Sequence, residues 1–528
     1  MNAIRYPVRS RRNLFNYCHA LLLCTLIGTA SSVQAAGIEE TISGAIGLGR
    51  AANFVRVRNF MATYINPANL AIIPGNSLGF EARLPLFFAC FDRAADRSLD
   101  YQSATAADPN TGESFDKVCN GDSPLGPTGN IGWAQSFESN WGYGVGFFTP
   151  AAISSQKWGK DTILSVSLDE DADLPYPGTF SGVEYPNRFL LLEREALAGF
   201  LMAGIGMQPI PEMRFGFSAG LGFAKIRNLS VSSVQGGTFE DQELLSEINA
   251  ADYAIPRMTA SMVLTPIKPL EIMIALTFQD DIRTEGTLDL TANGVQGEPR
   301  EDCRGDTPST HCRVEDITLR VPLPRLELNM GARYAQRRAS APIGRDLDPM
   351  RDELWDIELN GYWSKTSSVD KYELTFYDPN DGDTPTVAFT SDPNAAYGFP
   401  IPEGARINRY WKDTWGVRLG GDVNVIRSLL AVRGGISYES RAVPVQTMNI
   451  DAWPVAKMGL HAGATLAVDN YRFTLAYAHI FYQPVDVGVG QGDVNEISAL
   501  GQDDALPVNE GHYEAALDIL SLGAQVSF

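Results

Sequence analysis

One glycine-rich run near the start of the chain has the spacing of a nucleotide-binding motif. Gly47-Leu48-Gly49-Arg50-Ala51-Ala52 fits G-x-G-x-x-A, in which glycine lets the backbone approach a pyrophosphate. That chemistry requires a strand before the run, a helix after it and a βαβ unit around both. Patterns typical of strand hairpins follow instead. We therefore expect no dinucleotide, and we predict no other cofactor.

Residue types that bind metals or attack carbonyl groups are scattered. The five histidines show no metal-ligand spacing, and the chain has no G-x-S-x-G and no clustered cysteine–histidine set. A serine–histidine pair brought together only by the fold, as in outer-membrane lipases, has no spacing to support it. We expect no metal site and no enzyme activity.

Residues 1–35 have the organisation of a signal peptide. Four arginines precede an apolar stretch from Ala20 to Ile27, and Val33-Gln34-Ala35 forms a small-x-small site that predicts cleavage after Ala35. These residues carry no acid, so the net charge of −21 becomes −21 − 4 = −25 for the remainder. Such an acidic chain repels nucleic acid, and we exclude that partner.

Four cysteines remain after residue 35. An even number in an exported chain predicts disulfides, and four cysteines allow three connectivities. Proximity in sequence favours Cys90 with Cys119 and Cys303 with Cys312.

Strict alternation of apolar and polar residues recurs along the chain. Around 325–334, for example, Leu326, Leu328 and Met330 share one face, whereas Glu327 and Asn329 share the other. The longest apolar run after residue 35 has twelve residues, short of the ~20 that a membrane helix needs. Fourteen segments show strand character, near 78–90, 129–138, 141–150, 196–208, 213–228, 253–266, 270–291, 314–336, 351–373, 413–424, 428–442, 453–468, 470–486 and 511–528.

The links between these segments alternate between short and long, except near 337–350. Short periplasmic turns and long outer loops are typical of transmembrane barrels, and an even strand number suits a closed up-and-down barrel. All four cysteines lie at or in long links. The final segment alternates up to Phe528, and a terminal aromatic residue is similar to the C-terminal signal of bacterial outer-membrane proteins. We predict an all-β, fourteen-stranded antiparallel barrel over residues 78–528.

Residues 36–77 have no clear strand repeat. They begin Ala36-Gly37, contain the Gly47–Ala51 run and reach Asn66-Pro67-Ala68 just before the first strand. This order and spacing resemble the N-terminal hatch of the FadL/TodX family, outer-membrane channels for long-chain fatty acids and other hydrophobic compounds. The resemblance implies a hatch over 36–77 that plugs the barrel, and passive uptake of fatty acids or aromatic hydrocarbons.

Within this hatch the resemblance makes Gly47, Gly49 and Arg50 candidates for the ligand path, beside a plain glycine-rich turn as the alternative. Asn66 and Pro67 favour a turn. They form either a bend into the first strand or a latch that holds the hatch to the wall.

Charges of both signs occupy the polar face of the predicted strands. A mixture of signs suggests a network that grips the hatch, whereas a solvated lumen is the alternative. These residues are Arg214, Glu271, Arg325, Glu327, Arg333, Asp356, Glu358, Arg418, Asp422, Lys457 and Arg472.

An apolar cluster precedes the fourth strand. Four consecutive apolar residues are excessive for a solvated link, so we expect either an outer groove that captures substrate, as the family uses, or packing under other loops. The candidate capture residues are Phe189, Leu190, Leu191, Leu192, Leu197 and Phe200.

The third strand carries three glycines on one face, Gly142, Gly144 and Gly146, and ends at Pro150. Glycine and proline weaken a strand. In the FadL family a kink in this strand opens a side exit, so the resemblance implies a lateral exit here. The alternative is that the glycines make room for the hatch.

Two other functions remain open at this stage, a general diffusion porin and a surface or adhesion barrel without a transport role. For every one of these functions we expect a monomer in the bacterial outer membrane, in contact with its lipids and lipopolysaccharide. The channel would also bind a hydrophobic small molecule.

Overall fold

A computed structural model describes residues 39–40, 44–94, 115, 117–120, 128–138, 140–149, 151–152, 155–158, 186–187, 189–233, 243–292, 301–304, 310–342, 346–381, 384–388, 399–495 and 507–528. The predicted signal peptide lies outside these residues. No helix within them is long and apolar enough to cross a membrane.

Fourteen long strands form the wall. They are β1 Asn76–Arg93, β2 Thr128–Ser136, β3 Trp141–Phe148, β4 Glu193–Ile210, β5 Met213–Ser233, β6 Glu243–Ile267, β7 Leu270–Gln279, β8 Leu326–Arg337, β9 Glu353–Ser364, β10 Thr414–Ile426, β11 Leu430–Glu439, β12 Lys457–Val468, β13 Tyr471–Tyr482 and β14 Gly511–Ser527.

Each wall strand pairs antiparallel with the next one along the chain, and the last closes on the first. The β1–β14 ladder runs without a register shift from Ser77–Ser527 to Arg93–Gly511. Closure leaves no free strand edge, which a barrel in a bilayer requires. The predicted fourteen-stranded antiparallel barrel is confirmed.

The alternation in the sequence appears as an apolar outer surface and a polar interior. On β9, Trp355, Ile357 and Leu359 are 41–51% exposed, whereas Asp356 and Glu358 are 7% and 0% exposed. Only a lumen filled with protein buries the polar residues of a barrel this completely.

Three predicted strands are interrupted at one level of the wall, at residues 280–281, 322–325 and 365–370. Pro322 and Pro324 cannot donate ladder hydrogen bonds. The Asp281 carboxylate, which is fully buried, instead accepts hydrogen bonds from Arg320 and Arg325 across the break (2.9 and 2.6 Å).

Beyond this level the wall continues as an outer extension made of Ile282–Ala292, His311–Val321, Lys371–Thr375 and Gly404–Asn408, which pair with β6 and with one another. Shorter strands are Glu39–Glu40, Val118–Cys119, Ala151–Ala152, Ser155–Lys157, Glu301–Asp302, Thr386–Val387, Phe399–Pro400 and Val485–Val487. We call the end of the barrel that carries the extension the long-link end, and the opposite end the short-turn end.

The predicted hatch is described at residues 39–40 and from residue 44 onward, and the latter part consists of short helices. Helices α1 (Ala45–Arg50) and α2 (Ala62–Ile65) precede a 3₁₀ helix, Pro67–Ile72, and β1 begins at Asn76, two residues before the predicted boundary. A third helix, α3 (Pro349–Asp352), lies in the link between β8 and β9, and single 3₁₀ turns occupy Thr366–Ser368, Pro379–Asp381 and Val445–Thr447.

Two disulfides lie toward the long-link end. They join Cys90 to Cys119 and Cys303 to Cys312. This is the pairing that proximity in sequence favours.

Candidate functional site

Helix α1 is held to the wall by ion pairs. The Arg50 guanidinium contacts the carboxylates of Asp356, Asp422 (3.3 Å) and Glu358 (3.8 Å), all on the inner face of β9 and β10. Only 5% of the Arg50 side chain is exposed. A buried guanidinium needs such compensation because desolvating a charge costs several kcal/mol.

Glu358 also binds the hatch backbone. One of its carboxylate oxygens accepts hydrogen bonds from the amides of Phe54 (2.7 Å) and Val55 (3.0 Å). Hydrogen bonds to a charged acceptor are stronger than neutral ones. This residue therefore joins the hatch to β9 through backbone groups of Phe54 and Val55.

A second group of contacts joins the hatch to β5 and β7. Arg56 of the hatch contacts Glu271 at 2.6 Å, and Glu271 in turn pairs with Arg214 at 3.2 Å. Arg214 also donates to the Asn69 side chain at 3.2 Å. Five of the predicted inner-face charges thus form a network around the hatch, namely Arg214, Glu271, Asp356, Glu358 and Asp422.

The predicted hatch residues take different parts in this packing. Gly47 is buried in α1. At Gly49 a Cβ atom would lie 3.2 Å from the Gly463 backbone of the wall, so the hatch backbone and the wall backbone touch at this point. The Asn66 amide donates to the Phe54 carbonyl at 2.6 Å, a bond within the hatch, and Pro67 is the first residue of the 3₁₀ helix.

Wall glycines receive that 3₁₀ helix. A Cβ atom on Gly142 would lie 2.2 Å from the Leu70 carbonyl oxygen, and one on Gly216 would lie 2.1 Å from the Pro67 backbone. A Cβ on Gly144 would lie 2.2 Å from the Thr63 hydroxyl. These glycines make room for the hatch. Gly146 differs, because a Cβ there would meet the Phe148 ring at 2.7 Å instead.

Strand β3 keeps its ladder on both sides throughout the glycine run and leaves the wall after Phe148. Its ladder with β4 ends at the pair Phe148–Phe200 and resumes at Ser155–Glu195. Seven positions separate Phe148 from Ser155, whereas five separate Glu195 from Phe200. The register therefore shifts by two residues between these two pairs.

Side chains hold the chain where it departs. The amide of Thr149 donates to the Asn130 side chain at 3.0 Å, and its carbonyl accepts from Arg83 at 2.6 Å. Asn130 donates in turn to Glu81 at 3.2 Å. Sequence reasoning missed this cluster, although each residue is polar at an inward position of its strand.

An aromatic layer lies beside this departure point. Phe148 stacks on Tyr64 and Phe60 of the hatch, with ring centroids 5.2 and 6.0 Å apart. The Arg257 guanidinium lies over the rings of Tyr64 (4.5 Å) and Phe200 (5.6 Å). Aromatic rings thus form the boundary between hatch and wall at this point.

An apolar cavity of about 80 Å³ lies farther toward the long-link end, between the outer extension and the links that carry Phe189, Asp451 and Val494. Most of its lining side chains are apolar, namely Phe189, Leu190, Ala196, Ile226, Ile248, Leu319, Val321, Tyr372, Leu374, Ile407 and Val494. Burial of apolar surface is the interaction that such a lining offers to a ligand.

The predicted capture residues divide between two places. Phe189 and Leu190 line this cavity. Leu191 and Leu192 are buried in the adjoining core, and Leu197 packs against that core. Phe200 belongs to the aromatic layer at the end of β3.

A charged group borders the cavity on one side. The Asp451 carboxylate pairs with Arg409 (2.9 Å) and contacts Arg194 at 3.6 Å. Burial would raise the pKa of the Asp451 carboxyl, but the two guanidinium charges outweigh burial and hold that pKa below its usual range. The described residues contain no cluster of metal-ligating side chains.

Solved structures with the same architecture include a FadL homologue and two toluene transporters. A Pseudomonas aeruginosa FadL homologue aligns over 93% of this chain and 100% of its own, with a TM-score of 0.64 and 13% identity. The P. putida toluene transporter TodX aligns over 92% and 98% (TM-score 0.57, 12% identity), and the Ralstonia pickettii toluene transporter TbuX over 92% and 98% (0.52, 10%). The chain has the FadL fold. No protein-family model matches the sequence, and no curated protein sequence does either.

At 13% identity or less, this likeness is one of fold. Two of these structures are toluene transporters, and the third is a FadL homologue.

Proposed function

We propose that this protein is a passive outer-membrane channel, not an enzyme, for hydrophobic compounds such as long-chain fatty acids or aromatic hydrocarbons. The observation that carries the proposal is the apolar cavity at the long-link end of a barrel whose lumen is filled by a hatch. In this proposal the long-link end faces outward, and the short-turn end faces the periplasm. Substrate is captured in the cavity and leaves sideways into the bilayer.

The filled lumen argues against a general diffusion porin. Described hatch residues are almost all buried, and the charges of β5, β7, β9 and β10 bind the hatch. A porin instead keeps a hydrated constriction open. Adhesion alone would leave the apolar cavity without a role.

We place the lateral exit after Phe148, not within the glycine run. Support comes from the two-residue mismatch with β4 and from the side-chain bonds that replace ladder bonds at Thr149. An apolar solute gains free energy by entering the bilayer directly instead of the aqueous periplasm. A gap in the ladder beside an aromatic layer offers that route.

Capture is tested by a substitution that fills the cavity. Ala196 lines it and is 2% exposed, so Ala196→Phe should occupy the space that the ligand needs. Ala254→Phe, at an exposed position on β6, is the matched control. We expect uptake of a labelled fatty acid or of toluene to fall for Ala196→Phe alone. Equal uptake by two folded variants, judged by heat-modifiability on a gel, would reject capture in this cavity.

The exit is tested with a fatty acid that carries a photoreactive tail. Lateral exit predicts adducts on Phe148, Phe200 and the outward-facing Phe147. Adducts confined to the short-turn mouth, for example on Pro74 or Phe137, would show that substrate leaves into the periplasm and would overturn the lateral route.

A further inference from the structure

The segment 346–352, which contains α3, folds across the short-turn mouth. It belongs to the one link at this end that is too long for a tight turn. Leu347 is completely buried and Met350 is 8% exposed. A link that merely joined two strands in solvent would expose both side chains. We call residues 346–352 the floor segment.

Backbone carbonyls of the floor segment are bound by the neighbouring wall. The Asn424 side chain donates to the Pro349 carbonyl at 2.7 Å, and the Ser428 amide donates to that of Met350 at 3.0 Å. The Arg427 guanidinium donates to the Arg351 carbonyl at 3.0 Å. The segment is therefore fixed beneath β10 and β11.

Side chains extend its contacts further around the mouth. Met350 packs with Ala431 and Ala467, on the inner faces of β11 and β12. Asp348 pairs with Arg472 of β13 at 2.8 Å. A link that begins at β8 thus reaches five strands along the wall.

The floor segment also touches the hatch. The Arg58 guanidinium of the hatch donates to the Leu347 carbonyl and, at 3.3 Å, to the Ile72 carbonyl. Arg58 therefore joins the two parts that occupy the lumen.

Two cavities meet at this contact. One, of about 90 Å³, lies between α1 and the wall and is lined by charged groups that include Arg50, Asp422 and Arg433. The other, of about 620 Å³, is a vestibule at the short-turn mouth, below the β2–β3 turn. Arg58, Asp348 and Arg472 line both cavities. The partition between them consists of these three side chains and the floor segment.

We propose that the floor segment is a seal that keeps ions and small polar solutes out of the charged gap beside the hatch. The gap is lined by groups that favour water and ions, so joining it to the vestibule would create a hydrated path. Ion pairs with the wall keep α1 in place, whereas the floor segment closes the space that α1 leaves unfilled. The barrier to polar solutes is thus separate from the apolar route.

The test removes the apolar anchors of the seal. Leu347→Gly combined with Met350→Gly should free the floor segment, and Val489→Gly, at a 69% exposed position at the other end, is the control. In planar bilayers we expect discrete conductance steps from the double variant only, while uptake of a labelled hydrophobic substrate stays at the parent level. Parent-like conductance from a double variant that is heat-modifiable would overturn the proposal.

A second variant keeps the segment and opens the partition. Arg472→Ala removes the partner of Asp348 without touching Leu347 or Met350, and it should also raise conductance. Parent-like conductance from both the double variant and Arg472→Ala would reject the seal and leave the proposed function unaffected. Loss of hydrophobic uptake without a gain in conductance would instead show that substrate passes through the floor, which contradicts both the seal and the lateral route.

Discussion

Replacing Glu358 with glutamine should loosen the hatch without disturbing the barrel. The carboxylate is completely buried and accepts two backbone hydrogen bonds, from Phe54 and Val55. Glutamine keeps the shape and one acceptor oxygen but removes the charge. Its amide nitrogen would also stand near the Arg50 guanidinium, where the second carboxylate oxygen now lies at 3.8 Å.

The magnitude follows from the change in bond type. A hydrogen bond to a charged group contributes about 1 kcal/mol more than a neutral one, so two bonds make docking of the hatch weaker by about 2 kcal/mol. At ~1.4 kcal/mol per factor of ten, the undocked population rises roughly 30-fold. Glu358→Ala should have a larger effect, because it leaves Arg50 with one carboxylate fewer.

Limited trypsin digestion measures this population. Arg50 and Arg56 are buried, and Arg58 is half-buried against the floor segment, so all three become more cleavable when the hatch leaves its site. We expect faster cleavage within residues 50–58 for Glu358→Gln, while gel mobility before and after boiling shows an intact barrel. Glu285→Gln, an exposed position of the outer extension, is the control. If both substitutions at Glu358 leave cleavage and conductance unchanged, this residue does not hold the hatch.

Three further predictions concern other parts of the chain. Gly216→Val should displace the hatch and raise conductance, because its Cβ would lie 2.1 Å from the Pro67 backbone. Gly361→Val, whose Cβ would have its nearest neighbour 3.9 Å away, is the control and should not raise conductance. Equal conductance of the two variants would count against close packing at Gly216. The lowered pKa of Asp451 gives stability that is present above its unfolded pKa of about 3.9 and lost as pH falls through the folded value. The fluorescence of Trp453 should therefore change on acidification in the parent and lose that transition in Asp451→Asn; an identical transition in both would exclude this carboxyl as its source. A non-reduced digest should yield Cys90 linked to Cys119 and Cys303 linked to Cys312, and any other linkage would disprove this pairing.

The wall could be predicted from sequence because each strand has one face on the apolar outer surface and the other on the polar interior. Trp355, Ile357 and Leu359 alternate with Asp356 and Glu358, and this pattern is local. The interruptions at residues 280–281, 322–325 and 365–370 were missed because each is short and strand residues follow directly after it. Pro322 and Pro324 were the available signal, since proline cannot belong to the interior of a ladder.

The contacts of the hatch could not be predicted from one sequence. Glu358 lies more than 300 residues from the backbone amides that it binds. Polar residues at inward positions indicate that something is bound inside, but nothing in their spacing identifies the partner. For the same reason the sequence suggested Asn66 as a latch, whereas Asn69 makes the bond to the wall through Arg214.

The hatch is covalently joined to the barrel that it plugs. Only Pro74 and Gly75 separate the end of its packed region at Ile73 from the start of β1 at Asn76. Docking is therefore intramolecular, and a short tether gives an effective concentration in the millimolar range. A hatch peptide supplied at micromolar concentration cannot compete with it. Because the hatch cannot diffuse away, each undocking ends in rebinding at the same site, and any opening of this channel should be brief.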